Sequence, residues 1–166
     1  MERDDERQPL RARVITASNR AAAGVYADTA GPQLSARLRE WGFEASDPVV
    51  VPDGEPLQEA LMAAVAASFD VVLTTGGTGI SPTDETPERT AAVLDYQIPG
   101  IAEAIRAYGV GQGVPTAMLS RGIAGVADCT VVVNLPGSPG GVKDGLRVLE
   151  GVLRHAVEQV RGGDHP

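Results

Sequence analysis

Apolar residues gather in short dense runs, and between the runs they recur at every third or fourth position. The first run, ARVITAS over 12–18, is short, β-branched and bounded by polar residues, which predicts a strand. PVVVP over 48–52 and DVVLTT over 70–75 predict two more, the latter apolar throughout as a central parallel strand is. TAMLS over 116–120 and CTVVVNL over 129–135 complete the set. Between them, Leu34, Leu38 and Trp41 fall on one helical face that Gly42 ends. Leu57, Leu61 and Val65 mark a second helix. Thr86-Pro87-Glu88 marks a helix start, with Thr86 as cap, Pro87 as first helical residue and Glu88 at the positive end of the dipole. Ile101, Ile105 and Tyr108 mark another helix, and a last one runs from about 141 to 160 through Leu146, Leu149, Leu153, Ala156 and Val160.

Strict alternation of strands and helices predicts one doubly wound α/β domain over 12–161. Its sheet is mostly parallel with helices on both faces, a three-layer αβα arrangement. A disordered charged tail is expected over 1–11 and a short C-terminal tail over 162–166.

Composition narrows the partners. A chain of 166 residues can bury one core of its own. The net charge of −8, without a basic cluster, argues against a nucleic-acid partner, which needs a positive face. No apolar run approaches the roughly 20 residues of a transmembrane helix, and the charged N-terminus holds no signal-peptide core, so the expected location is cytoplasmic, away from membranes. The single cysteine, Cys129, opens an apolar run and reads as a buried core thiol. His155 and His165 sit in no metal-binding or triad pattern.

The chemistry lies in the loops after the strands, which in a parallel sheet share one edge. These are Ser18-Asn19-Arg20, Val51-Pro52-Asp53-Gly54, Gly76 to Asp84 and Pro136-Gly137-Ser138-Pro139-Gly140-Gly141, with Ser120-Arg121 ending another strand. TTGGTGISPTDET over 74–86 has neither the spacing and lysine of a P-loop nor the G-x-G-x-x-G of a dinucleotide fold. It reads equally as a plain strand-to-helix turn or as a cradle of backbone N–H groups for an anion. Asp84 is not needed as a cap when Thr86-Pro87 starts the helix. A carboxylate beside a phosphate cradle needs a cation, and Mg²⁺ suits both. Asp53 reads as readily as a turn residue. Ser120 and Arg121 can hold a phosphate by hydroxyl and guanidinium, or Arg121 can be a solvated helix-start residue. Lys143 can as well be a surface charge.

Taken in order, LTTGGTGISPTDETPE, SNRAAAGVYADTAGP, VPDGE, PGIAEAIR, AMLSRGIAG and VVNLPGSPGGV resemble the MogA/MoaB family of molybdenum-cofactor biosynthesis proteins, found also as the G domain of gephyrin. The likeness runs from about Arg13 to Val160. It implies a molybdopterin-binding α/β domain that forms homotrimers. In catalytic members it implies molybdopterin adenylyltransferase activity: ATP gives AMP to the terminal phosphate of molybdopterin, pyrophosphate leaves, and the product passes to a molybdenum-insertion protein. The resemblance assigns Asp53 and Asp84 as the aspartates required for activity, here read as the Mg²⁺ ligands. Ser120 matches the serine on the pterin's phosphate. Thr75, Gly76, Gly77, Thr78 and Gly79 match the site loop, and Arg121, Pro136, Gly137 and Ser138 join the substrate-binding set. Many members have Ser-Asp-Arg where this chain has Ser18-Asn19-Arg20, so the position keeps its hydrogen-bonding shape but loses a charge that could bind metal.

Two other readings stay open. One is a molybdopterin-binding protein of the same fold without catalysis, against which the two aspartates speak. The other is a structural trimer that organises partner proteins.

Overall fold

All five residues of β4 (Val71–Thr75) are buried, and the sheet is built outward from this strand. In the computed structural model, residues 8–163 are described. The charged tail expected over 1–11 lies outside them up to position 7, as does the C-terminal tail, with His165, from position 164. β1 (Arg11–Ala17) and β7 (Thr130–Leu135) pair with β4 in parallel, one on each side. β2 (Glu44–Ala45) and β3 (Val49–Val51) both pair in parallel with β1. On the other edge β5 (Tyr96–Gln97) and β6 (Ala124–Ala127) run antiparallel, giving the order β2-β1-β4-β7-β6-β5.

The helices cover both faces, because alternate strand residues point to opposite sides. Val71, Leu73 and Val133 pack on one side against Leu34 and Leu38 of α2 (Ala30–Glu40) and Leu146 and Leu149 of α6 (Pro139–Glu150). Ile105 of α5 (Pro99–Gly111) and Leu153 of α7 (Leu153–Val160) join them. Val72, Ile15 and Val132 pack on the other side against Leu57 and Leu61 of α3 (Glu55–Ala66). Strands apolar throughout are what two covered faces require. The result is the expected three-layer α/β arrangement around a mostly parallel sheet. Two further short helices, α1 (Asn19–Ala22) and α4 (Thr86–Ala91), flank the carboxyl edge. Among the described residues no helix is long and apolar enough to cross a membrane.

Four local expectations are corrected. Thr116 to Ser120 is no strand: Pro115–Leu119 forms a 3-10 turn with Met118 61% exposed, so this stretch has no face to give a sheet. The fifth long-range strand is β6 instead, whose Ala-Gly-Val-Ala carries little β-branched signature. Cys129 is exposed, because Asp128 and Cys129 form the two-residue turn between the paired Ala127 and Thr130. The last helix is two helices: α6 ends at Glu150 with Gly151 as its cap, and α7 starts after Val152 leaves helical geometry at φ −130. Finally, Glu85 and not Thr86 occupies the cap of α4, and the Thr86 hydroxyl donates to Gly76 O at 2.9 Å.

Candidate active site

The carboxyl ends of the parallel strands are tied in pairs. Ser18 N–H donates to Val51 O at 2.9 Å, joining the ends of β1 and β3, and Gly76 N–H donates to Leu135 O at 3.1 Å, joining β4 and β7. The glycine loop threads between them. Gly76, at φ +92, passes so close to Ala17 O that a Cβ would sit 2.3 Å from it. Gly79 leaves the space that Asp84 Oδ2 takes, 2.8 Å from where its Cβ would be. The loop's glycines are thus demanded first by crowding against a strand and the acidic side chains.

Two hollows open along this edge. One, of about 320 Å³, is lined by Asp28, Asp53, Asp84, Tyr26 and Thr75. The other, of about 460 Å³, is lined by Thr78, Gly79, Ser120, Pro136 and Ser138. Gly76, Gly77, Asp84 and Gly137 border both, so the glycine loop is the seam of one divided cleft.

Asp53 and Asp84 meet at the acidic hollow, as their positions after strand ends predict. Asp53 Oδ1 is buried without a hydrogen-bond partner. Burial pushes its carboxyl above the ordinary carboxylate range, the Asn19 backbone N–H opposes this, and the charges of Asp84 and Glu85 add to it. Asn19 also accepts the Asp53 N–H on its side-chain oxygen at 3.0 Å, so it positions Asp53 without adding charge. Asp84 Oδ2 accepts the Ser81 N–H at 3.0 Å. Among the described residues no group of three or more His, Cys, Asp or Glu forms a metal cage. Two carboxylates with one unpartnered oxygen nevertheless fit Mg²⁺, which takes one or two carboxylates and completes its shell with phosphate oxygens and water.

On the other side of the seam, the Ser120 side chain lines its hollow and accepts the Gly122 N–H at 3.3 Å. Ser138 caps α6 by accepting the Gly141 N–H at 3.1 Å, which leaves the first turn of that helix facing the hollow. Thr75 donates its hydroxyl to Pro136 O at 2.8 Å and so joins the two loops. Behind the edge, buried Asn134 donates to Thr74 Oγ1 at 2.9 Å and Thr90 Oγ1 at 3.0 Å, joining β4, β7 and α4.

One residue lies differently from the sequence reading, and one that the sequence reading passed over joins the site. Arg121 lines neither hollow; its guanidinium is bonded to Gly79 O, Asp84 O and the Glu88 carboxylate. Asp28, not singled out in the sequence, lines the acidic hollow and accepts from the Thr16 hydroxyl at 2.8 Å and the Gly31 N–H at 3.0 Å. It lies inside SNRAAAGVYADTAGP, a stretch that carries the family resemblance without assigning this aspartate a role.

Residues 13–155 match the family described as "Probable molybdopterin binding domain". The chain belongs to the MogA/MoaB family. The molybdopterin biosynthesis Mog protein from Mycobacterium ulcerans shares the MogA/MoaB fold with this chain at a TM-score of 0.87 and 56% identity, over 90% of this chain and 98% of that one. A molybdopterin adenylyltransferase of Haemophilus influenzae is 37% identical over 86% of this chain and 73% of its own length. A molybdenum cofactor biosynthesis bifunctional protein of Synechococcus elongatus is 38% identical over 93% of this chain, which spans about half (48%) of that longer protein.

Proposed function

We propose that this protein is a molybdopterin adenylyltransferase, which transfers AMP from ATP to the terminal phosphate of molybdopterin in molybdenum-cofactor biosynthesis. The observation that carries this reading is the pair Asp53 and Asp84 lining the acidic hollow, with Asp53 Oδ1 buried and unpartnered. The names of the adenylyltransferase relatives support it.

On this reading the divided cleft takes the two substrates on opposite sides of the glycine loop. Ser120 and the first turn of α6 hold the pterin's phosphate, with the helix dipole favouring its charge. ATP places its phosphates toward Asp53 and Asp84. A phosphate oxygen of molybdopterin attacks the α-phosphorus of ATP, the new P–O bond forms, and the bond to the β-phosphate bridging oxygen breaks to release pyrophosphate. The attacking phosphate is already ionised near neutral pH, so no side chain has to remove a proton from it. What the chain supplies is alignment and the neutralisation of charge. Asp53 and Asp84 would hold Mg²⁺, which would supply neutralisation of charge on the ATP phosphates. Gly76, Gly77 and Thr78 bring backbone close to the transferring group.

We further infer a homotrimer, a cytoplasmic location and a downstream partner that inserts molybdenum, each from the family resemblance; light scattering that gave a monomer at micromolar concentration would count against the first. The deciding experiment is pyrophosphate release from MgATP with molybdopterin supplied. Release that depends on both substrates supports the enzyme. Molybdopterin binding without release would instead mark a binding protein of the same fold.

A further inference from the structure

Building on the adenylyltransferase reading, we propose that Arg121 is a positioning residue that holds Asp84 at the seam of the cleft, and that it is a ligand of neither substrate. The stretch 80–83, between Gly79 and Asp84, is exposed at every position, so core packing does not fix it. Arg121 brackets this stretch instead. Its Nε donates to Gly79 O at 2.8 Å, before the exposed stretch, and its Nη2 to Asp84 O at 3.0 Å, after it. Nη1 is paired with the Glu88 carboxylate in the first turn of α4, which holds the fork from behind. The Arg121 N–H donates to Thr78 O at 2.7 Å, anchoring the clamp to the same loop.

All three guanidinium nitrogens are therefore engaged with the chain itself. Inside the bracket, Asp84 exchanges two hydrogen bonds with Ser81, N–H to O at 3.0 Å and Ser81 N–H to Oδ2 at 3.0 Å. Fixing the carbonyls on either side of the bend fixes the backbone from which the Asp84 carboxylate is aimed. Only a planar fork can reach both carbonyls and the Glu88 carboxylate at once. A lysine ammonium keeps the charge but not this geometry. Arg121 also follows Ser120 directly, so the clamp joins the pterin side of the cleft to the carboxylate side.

The test compares wild type, Arg121→Ala, Arg121→Lys and Glu88→Gln. It uses molybdopterin titrations without nucleotide or metal, Mn²⁺ binding followed by paramagnetic resonance, and turnover with MgATP. Both Arg121 variants are expected to bind molybdopterin like wild type and to bind Mn²⁺ about tenfold more weakly, the usual effect of losing support behind a metal ligand. Their kcat is expected to fall about a hundredfold, as a small misplacement of a catalytic group costs. Glu88→Gln keeps the fork and should show the same pattern in weaker form. If Arg121→Ala does not fold, Arg121→Lys and Glu88→Gln carry the test. Weaker molybdopterin binding with unchanged Mn²⁺ affinity would make Arg121 a substrate ligand and overturn the proposal, as would variants that match wild type throughout. A wild type that releases no pyrophosphate overturns the adenylyltransferase reading instead, while the Mn²⁺ and molybdopterin titrations still decide the role of Arg121.

Discussion

Gly77 lies so close to Asp53 that a Cβ on the glycine would come within 2.8 Å of Asp53 Oδ1, and within 2.3 Å of Thr86 Oγ1. The glycine is at φ +67, where a side chain is strained in any case. The carboxylate and the loop thus share one small space, and the missing side chain lets both occupy it.

Gly77→Ala is accordingly expected to lower stability by at least about 1 kcal/mol through the left-handed backbone alone. Relief of the contact with Asp53 and Thr86 must shift the loop, so turnover should fall as well. Denaturant unfolding and a pyrophosphate assay on the same preparation check both effects. Wild-type stability together with wild-type turnover would refute the crowding.

Asp53 carries the pH dependence. Its carboxyl is held above the ordinary 3.8, first by burial, against the Asn19 backbone N–H, and then by the charges of Asp84 and Glu85. A group easier to protonate in the folded chain stabilises the fold at pH below its unfolded value. That contribution is lost as pH rises through the raised folded value. At neutral pH and without metal, the ionised carboxylate therefore opposes folding. Asp53→Asn should raise Tm at pH 7 in the presence of chelator, with the gain shrinking as pH falls through the carboxylate range, while adenylyl transfer is lost. A lower Tm at pH 7 would contradict the electrostatic account.

Much of this edge was readable beforehand because it follows from period and position. Val71 to Thr75 reads as a central strand, and the residues after it must then face a cleft. Leu34 with Leu38 and Leu57 with Leu61 announce buried helix faces, and all four are fully buried. What escaped has no period to read. β2 and β5 have two residues each, too few for alternation. The Asp128-Cys129 turn hides inside an apolar run, so the thiol looked buried. Arg121 spends its donors on carbonyls 42 and 37 positions away, which only the folded chain brings near. Asp28 is held by the Thr16 hydroxyl, 12 positions earlier, and by the Gly31 N–H at the start of α2, and no period or motif in the sequence announces the first of these bonds.

Ser120 is the corresponding test on the far side of the seam. Its turn is held independently, since Arg106 donates to Ser120 O at 3.3 Å and to Gly122 O at 2.9 Å. Removing the hydroxyl should therefore leave the fold intact. Ser120→Ala is expected to weaken molybdopterin binding by about 1.5–3 kcal/mol, the worth of a hydrogen bond to a charged group, and to leave ATP binding unchanged. Calorimetric titrations that gave equal pterin affinity for both proteins would remove Ser120 from the site.

Asp84→Asn separates the metal role from the structural one. The Asp84 side chain accepts the Ser81 N–H through Oδ2, and an asparagine oxygen can accept the same bond. The Asp84 carbonyl still receives Arg121, and α4 still begins at Thr86, whose hydroxyl holds Gly76 O. Fold and assembly should therefore survive the substitution. What disappears is one of the three carboxylates that line the acidic hollow, and one of the two that would hold Mg²⁺. Asp84 borders both hollows, but Ser120 and the first turn of α6, the groups assigned to the pterin's phosphate, are untouched, so molybdopterin binding should persist. The expected result is a normally folded protein that binds molybdopterin like wild type and releases no measurable pyrophosphate. Near-wild-type turnover with saturating Mg²⁺ would show that Asp84 is only the end of a turn, and would remove the observation on which the enzymatic reading rests.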